Sequence, residues 1–414
     1  DFDTETSTYN VAVGYNAGIA VTTGVQNTLL GGLAGDALTT GSQNVALGYQ
    51  SLSTDDLGSH NVAIGANALS DMNFATATDS YNTAVGDQAG LRVTTGVRNA
   101  LLGGLAGDAL TDADHNVAMG FGALSSDTLG SRSTALGDSA LVSQNFTTAT
   151  DVYNVAVGYF AGGSITTGQN NTLIGGQAGD ALTAVNDNVV VGTGALTSDV
   201  LGSGTVAIGR QALQTQNFTT ATNAYNTAVG FQAGLSVTTG QQNTLVGATS
   251  GDALTTGNYN VVVGWSAGTH DVNLETGSNN VIIGAFNDTS ATTTDNAIIL
   301  GYNVTGADDF TTLGNASSDS RLAHGGTTWA TISDERYKKD ITDSTLGLSF
   351  VNALKPRTFN YKTMGELPDT FVAYEKDSSE VFKSDQTQHG FIAQEVKTAI
   401  DAASGVADGF KMWA

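Results

Sequence analysis

Short apolar segments recur along roughly the first three hundred residues of the chain, most of them opening on an amide side chain and all closing on glycine. Their common form is Asn-x-(Ala/Leu/Val)-(Val/Leu/Ile/Met)-Gly. Alternation over so few residues is typical of a β-strand, because successive side chains of a strand point to opposite faces. We expect strands of about four or five residues, each followed by a sharp bend at its glycine. The first four segments run from Asn10 to Gly14, Asn27 to Gly31, Asn44 to Gly48 and Asn61 to Gly65.

The segments are arranged in a two-level repeat. Successive motif glycines advance in steps of 17, 17, 17 and then 21, and the whole pattern returns with a period of 72. Tyrosines preceding the first motif of each unit keep this longer period at Tyr9, Tyr81, Tyr153 and Tyr225. A step of 17 is too short for a pair of helices and suits one coil of a solenoid. The sequence therefore predicts a mainly β fold, with a parallel β-solenoid of about seventeen coils in four units over residues 1–305.

The polar and apolar positions of each motif have separate predicted roles. We expect the stacked asparagines to form ladders of side-chain amides and to adopt left-handed or turn geometry themselves. The central positions are mostly small, so a single roll buries little apolar area to offset the entropy of ordering its chain. Association of several chains would supply the missing burial, and we expect a homotrimer.

The motif also resembles known repeats. Asn-Val-Ala-Val-Gly at 10–14 and Asn-Val-Ala-Ile-Gly at 61–65 resemble the head repeats of trimeric autotransporter adhesins, and similar repeats occur in phage tail fibres. The resemblance extends over residues from about 9 to 305 and implies a trimeric rod of parallel β-rolls. The coils here are longer than those of the adhesin heads, so we expect the additional residues to form loops on the outside.

The longest coil of each unit carries an aromatic residue that leaves two interpretations open. Phe74, Phe146 and Phe218 each follow an Asn and precede a run of Thr and Ala. The four additional residues could form a protruding lobe, which would make these loops candidate surfaces for binding glycans. The simpler interpretation is that each phenylalanine lies under its loop and plugs it.

Charge and composition exclude several classes of function. The net charge is −24, and residues 1–332 contain five arginines and no lysine. A composition break follows near Ser333, beyond which all the lysines lie. Neither part has a basic stripe, so we expect no nucleic-acid partner. No apolar run of about 18 residues is present, so we expect no membrane insertion, and the chain has no cysteine to form a disulfide.

Candidate metal ligands are sparse in the sequence. An aspartate recurs in a Gly-Asp-Ala-Leu setting, but one carboxylate in each unit of the repeat is a poor calcium ligand set, and turn capping is the better interpretation. The histidines are scattered without metal-site spacing, and we expect no metal ion and no cofactor. The aspartates are Asp36, Asp108, Asp180 and Asp252, and the histidines are His60, His115, His270, His324 and His389.

The pattern changes after Gly301, and a separate mixed α/β module follows. We assign 306–332 to a transition segment and 333–414 to the module, with helices expected over 346–354 and 394–402. Three segments of it occur in the order SDERYKKDI, LKPRTFNYK and GFIAQEV. They closely resemble the C-terminal intramolecular chaperone of endosialidase-type phage tail spikes and of many phage fibres. Such modules trimerise the fibre, assist its folding and then release themselves.

The resemblance also implies a self-cleavage site. The scissile bond would be Ile332–Ser333, with Ser333 as nucleophile and Lys338 as its base. A serine hydroxyl needs a nearby group to accept its proton, and a lysine with a lowered pKa can do so. One turnover suffices, so we expect a single-turnover serine autoprotease and no turnover enzyme in the solenoid.

These inferences combine into one hypothesis with two alternatives. We expect the shaft of a phage tail fibre or tail spike, assembled in the host cytoplasm as a homotrimer and located in the virion tail. Its partners would be a host cell-surface receptor, glycan or protein, and other tail proteins beyond the N-terminus, since we expect the chain to continue past both ends. The alternatives are a trimeric adhesin head on a bacterial cell surface and a polysaccharide depolymerase. The depolymerase would need a cleft with positioned carboxylates, and the regular repeat has no insertion large enough to build one.

Overall fold

The structure, a computed structural model, describes residues 7–316, 318–326, 330–331, 348–371, 373–383 and 385–402. The chain forms two units, residues 1–332 and residues 333–414. The first is a β-solenoid and the second is a small mixed α/β unit. Among the described residues, no helix has the length and apolar character needed to cross a membrane.

The solenoid is built on one sheet of twenty strands. All of its strands pair in parallel except the last two, and the register is direct, with Val11 opposite Thr28 and Thr28 opposite Val45. Most of the strands have three residues, fewer than expected, because turns with left-handed residues occupy the rest of each coil. The parallel strands are Val11–Val13, Thr28–Leu30, Val45–Leu47, Val62–Ile64, Thr83–Val85, Ala100–Leu102, Val117–Met119, Thr134–Leu136, Val155–Val157, Thr172–Ile174, Val189–Val191, Val206–Ile208, Thr227–Val229, Thr244–Val246, Val261–Val263, Val281–Ile283, Ile298–Tyr302 and Phe310–Asn315.

Shorter elements complete this unit. Two-residue strands pair in parallel beside the main sheet: Gly58–Ser59 with Thr78–Asp79, Gly130–Ser131 with Thr150–Asp151, Gly202–Ser203 with Thr222–Asn223, and Asp288–Thr289 with Thr305–Gly306. In the transition segment the parallel order ends. There Ser318–Ala323 runs antiparallel to Phe310–Asn315, and Ala330–Thr331 runs antiparallel to Ser318–Ala323.

The middle residue of each strand points into the solenoid. From Leu29 onward this position is buried in every coil, and it holds mostly Ala, Leu, Val or Ile. Leucines from the turns, such as Leu38 and Leu110, fill the space between the small residues. The interior is thus closed by stacking one coil on the next.

A ladder of buried asparagines lines the entrance to the strands. The backbone N–H of Asn27 donates to Oδ1 of Asn10 at 2.7 Å, and Nδ2 of Asn27 donates to the carbonyl of Gly41 at 2.9 Å. The same two bonds recur at Asn44, so each side chain spans neighbouring coils. The sequence predicts left-handed or turn geometry at the asparagine, but the left-handed residue is the one before it, as at Gln26 with φ of 61°. The asparagine side chain is therefore available to form hydrogen bonds with the neighbouring coils.

The backbone of the next coil packs directly against each motif glycine. Gly175 has φ of +134°, and a Cβ at this position would lie 2.7 Å from the backbone carbonyl of Gly192. Its neighbour Gly176 has nothing within 4 Å of its Cβ position. The first glycine of the pair is thus required by conformation and contact together, whereas the second is not.

Buried carboxylates close the longest coils. Oδ1 of Asp127 accepts the backbone N–H of Gly130 at 3.1 Å and of Phe146 at 2.9 Å. Its Oδ2 accepts Nε2 of Gln144 at 2.6 Å, and Oε1 of Gln144 accepts Nδ2 of Asn154 at 2.9 Å. Asp199 and Gln216 repeat this arrangement one unit later. Both oxygens of these buried carboxylates therefore have partners, as buried polar groups require.

The first unit lacks this glutamine, because Met72 stands at the corresponding position. Oδ2 of the buried Asp55 consequently has no hydrogen-bond partner. Burial raises the pKa of Asp55 to about 6, against backbone N–H bonds from Gly58, Phe74 and Leu57 that lower it. The adjacent carboxylate of Asp56 adds a smaller upward contribution.

The second unit has two helices and one strand pair among its described residues. The helices are Leu348–Ala353 and Ala393–Ala402, within a residue or two of the predicted bounds, and a short 3₁₀ turn spans Met364–Glu366. Pro356–Phe359 pairs in antiparallel fashion with Gln388–Phe391. Val396, Ala399 and Ile400 form the buried side of the second helix.

The glycine pair predicts a position-specific loss of stability. Gly175→Ala should destabilise the solenoid by about 2 kcal/mol or more, because it combines a strained φ with a clash against the next coil. The matched variant Gly176→Ala should lie within about 0.5 kcal/mol of the wild type. Thermal unfolding followed by circular dichroism compares the two, and equal midpoints would contradict the assigned contact.

Asp55 predicts a pH-dependent contribution to stability. Because its folded pKa is raised, the folded state binds this proton more tightly than the unfolded chain. The contribution is therefore complete below about pH 4, is lost as the pH rises through about 6, and amounts to about 3 kcal/mol.

Met72→Gln should reduce this loss and stabilise the chain at pH 7 by about 1–3 kcal/mol, since it supplies the missing donor. The loss should not vanish, because burial also raises the pKa of Asp199 despite its bond from Gln216. Denaturant unfolding between pH 4 and 7 measures both effects. Gln144→Met is the reciprocal variant and should create the same loss in the second unit; an unchanged pH profile in both variants would refute the assignment.

Candidate interaction surface

An apolar row runs along the outside of the solenoid at the third position of the strands. Every member of this row is aliphatic and none is buried. Leu30, Leu102 and Met119 are 43%, 43% and 46% exposed, although large apolar side chains are normally inside a folded domain. The row consists of Val13, Leu30, Leu47, Ile64, Val85, Leu102, Met119, Leu136, Val157, Ile174, Val191, Ile208, Val229, Val246, Val263, Ile283, Leu300 and Leu313.

The first strand position adds a second uncharged row on the same side. It carries only Val, Thr, Ala or Ile in the coils from Val11 to Thr311. Neither row contains a charged side chain, although the chain as a whole has a net charge of −24. The two rows form what we call the apolar stripe. A contiguous apolar surface of this length is typical of a protein–protein contact rather than of a solvated face.

In several coils an aromatic residue follows the motif glycine and borders the apolar stripe, whereas Asp87, Asp138 and Arg210 stand at this position in others. The aromatic residues are exposed, with fractions of 55% at Tyr49 and 58% at Trp265. Near the C-terminal end, the ring centroids of Trp265 and Phe286 lie 4.7 Å apart, and Tyr302 meets Phe286 edge-on at 5.8 Å. Aromatic side chains of this kind add large contact area to an interface.

The longest coils do not present their phenylalanines to solvent. Phe74, Phe146 and Phe218 are only 6%, 5% and 5% exposed, so the interpretation as a protruding aromatic lobe is wrong and each side chain lies under its loop. The physical reason is the buried carboxylate beneath each loop, which binds the backbone N–H of the phenylalanine and draws the residue inward. The Thr and Ala residues that follow are exposed.

The Gly-Asp-Ala-Leu aspartates lie singly, one in each unit. Burial raises the pKa of the Asp108, Asp180 and Asp252 carboxyls. Oδ1 of Asp36, Asp108 and Asp180 is buried and has no hydrogen-bond partner, so turn capping stays a prediction for these residues. These residues do not converge on a shared ion.

Sequence spacing missed one cluster of potential metal ligands. The described part of the chain contains a single group of three such side chains, formed by His270, Asp271 and Asp288. Asp288 follows Asp271 by one coil of the solenoid, and its carboxylate accepts the backbone N–H of that residue. A signal was present in the sequence, because Asp271 and Asp288 are separated by the ordinary 17-residue step of the repeat.

The predicted cleavage residues Ile332, Ser333 and Lys338 lie outside the described residues. The other two segments of the module are described, and the structure brings them together. Arg357 of LKPRTFNYK forms a bidentate ion pair with Glu395 of GFIAQEV, at 2.9 and 2.6 Å. The hydrogen bond from Arg357 is the main cause that lowers the pKa of Glu395. The two segments thus meet through a strand pair and a charged fork.

Comparison with known proteins identifies this second unit. Residues 333–405 match the model of a family described as chaperone of endosialidase. No curated protein matches the chain, and no solved structure does. A long β-solenoid followed directly by an endosialidase-type chaperone fits a protein of the tail-spike type.

Proposed function

We propose that this chain forms the shaft of a phage tail fibre or tail spike, assembles as a homotrimer and carries the particle to a host cell-surface receptor. The observation that carries the proposal is the chaperone-family match immediately after the solenoid. On this proposal the protein is located in the virion tail and is assembled in the host cytoplasm.

The apolar stripe supports the association of several chains. It runs the length of the solenoid, it lacks charge, and its residues lie in direct register from coil to coil. Association through it would remove an apolar surface from water at about 25 cal/mol per Å². A stripe on only one side of each coil suits a closed assembly, in which every copy turns the same face to a common axis.

The chaperone unit would set the register in which the copies of the chain associate. A parallel solenoid pairs strands that are distant in sequence, and such assembly is slow and exposes unpaired edges. A slip of one residue between copies would misplace every side chain of the stripe. A module that first joins the C-terminal ends would set the register from which the coils then associate.

The proposed cleavage has a balanced course that uses residues of this chain and water. Oγ of Ser333 attacks the carbonyl carbon of Ile332 while its proton passes to the neutral amine of Lys338. The bond from that carbonyl carbon to the nitrogen of Ser333 breaks, and this nitrogen takes a proton and becomes an amine. Water then hydrolyses the resulting ester, which leaves a carboxylate on Ile332 and restores the Ser333 hydroxyl.

The alternative to a shaft that only binds its receptor is a polysaccharide depolymerase. Incubation of the assembled protein with capsular polysaccharide, followed by analysis for released oligosaccharide, separates the two. Release would replace the binding shaft by a polysaccharide-degrading spike.

The apolar stripe predicts the state of assembly. Light scattering on a sizing column should give three times the chain mass for the wild-type protein. The double variant Leu102→Glu, Met119→Glu should shift it to the single-chain mass, because two buried charges per chain would oppose contact.

The matched control for the assembly experiment places the same charges on an exposed loop. Thr147→Glu with Thr148→Glu should remain trimeric, since both residues are exposed away from the apolar stripe. A wild-type protein that is monomeric at micromolar concentration would refute the proposal, as would a trimer indifferent to the stripe substitutions.

The proposed autoproteolysis predicts a change in intact mass. Freshly expressed wild-type protein should contain a product that ends at Ile332, whereas Ser333→Ala should stay full length. Lys338→Gln should also stay uncut, and Ser379→Ala, at an exposed serine of the same unit, should be cleaved normally. Full-length wild-type protein after prolonged incubation would contradict cleavage while leaving the assembly proposal standing.

A further inference from the structure

One coil near the C-terminal end of the solenoid departs from the regular length. Its ladder asparagines, Asn260 and Asn280, lie 20 residues apart, whereas those of most coils lie 17 apart. The turn of this coil carries His270 and Asp271, and the next coil places Asp288 beside them in the short strand Asp288–Thr289. The longer coil therefore carries the imidazole and one carboxylate, and the ordinary 17-residue step from Asp271 places the second carboxylate beside them.

Two of the donor-atom separations are close to those of ligands that share one metal ion. Nδ1 of His270 lies 3.4 Å from Oδ1 of Asp271 and 3.7 Å from Oδ2 of Asp288. The three donor atoms all lie within 4.8 Å of one another. Zinc bonds to nitrogen and oxygen are about 2.0–2.2 Å, so tetrahedral ligands around zinc stand roughly 3.4 Å apart.

The buried member of the group is held in place independently of any ion. The Asp288 side chain is only 3% exposed. Its Oδ1 accepts the backbone N–H groups of His270 at 2.9 Å and Asp271 at 3.1 Å. The imidazole of His270 packs edge-on against the Phe286 ring with centroids 4.8 Å apart. Outer contacts that orient ligands in this way are a usual part of metal centres.

Access and charge suit a divalent transition metal. The Asp271 side chain is 77% exposed, so the group opens to solvent on one side and leaves room for a water as fourth ligand. With neutral His270 the three side chains carry a charge of −2, which a divalent ion would balance. One imidazole and two carboxylates suit zinc and related ions, whereas calcium takes about six to eight oxygen ligands.

We propose that His270, Asp271 and Asp288 bind one divalent transition-metal ion of the zinc class per chain. The competing arrangement is a protonated His270 paired with both carboxylates and no ion. A second histidine provides an internal comparison, because His60 meets one carboxylate, Asp79 at 3.5 Å, and stacks on Tyr81 at 4.7 Å. That pair lacks a third ligand and should not hold an ion.

Calorimetric titration with zinc chloride tests the proposal on the tag-free, chelator-treated full chain. Excess Mg²⁺ is required in the buffer, because a protein of net charge −24 attracts divalent cations to scattered carboxylates. We expect saturable binding of one ion per chain. Titration with Co²⁺ should produce visible absorption bands of a tetrahedral nitrogen and oxygen site, a readout that scattered carboxylates would not give.

Two variants and one control decide the outcome. His270→Gln and Asp271→Asn change exposed side chains, so folding should persist, and each should weaken zinc binding at least about ten-fold. His60→Gln should leave the titration unchanged. Absence of saturable binding in the wild type would overturn the proposal in favour of the ion pair, and equal binding by the wild type and His270→Gln would show only scattered carboxylate binding.

Discussion

Each coil of the solenoid begins its strand with a backbone N–H that the asparagine of the preceding coil satisfies, as Asn27 does through Oδ1 of Asn10. Nδ2 of the same Asn10 side chain donates to the carbonyl of Gly24, 14 residues further on, so one residue connects successive coils. Because the interior offers no water to replace these bonds, the ladder must continue without a gap. The ladder bond is kept even across the 20-residue step from Asn260 to Asn280, so longer coils must accommodate their additional residues away from the ladder.

Longer coils exist because the structure closes them by other means. Nδ2 of Asn154 donates a hydrogen bond to Oε1 of Gln144, and Nε2 of Gln144 donates one to the buried Asp127 beneath the loop. The network carries the ladder past Ser133, where the asparagine is missing. Met72 shows the consequence of omitting the glutamine, since Asp55 is left with an unpartnered oxygen. The unpartnered carboxylate oxygen of Asp55 thus lies where the repeat is irregular. The cluster of His270, Asp271 and Asp288 also lies at an irregular coil.

The interior of the solenoid holds both the asparagine ladder and the apolar side chains of the middle strand position. The ladder uses the interior of each coil, so aliphatic side chains of the first and third strand positions have no place there and form the apolar stripe. The coils of a solenoid are stabilised by stacking on one another, and the apolar stripe is surface that this stacking leaves unburied. On the proposed assembly, a chaperone at one end complements this design, because register between long identical stripes is easily lost.

The repeat of asparagine and glycine by itself determined the solenoid, because its fixed spacing brings the same residue types together in every coil. Segment order in the module likewise indicated the chaperone family, which the match over residues 333–405 bears out. Tertiary structure decided what depends on the neighbouring coil. It turned Phe146 inward over Asp127, and it assigned the left-handed conformation to Gln26 rather than to Asn27. It also brought Asp288 to His270 across a coil of irregular length. Stacking distance, not sequence distance, sets these contacts, and a single changed coil shifts which residues meet.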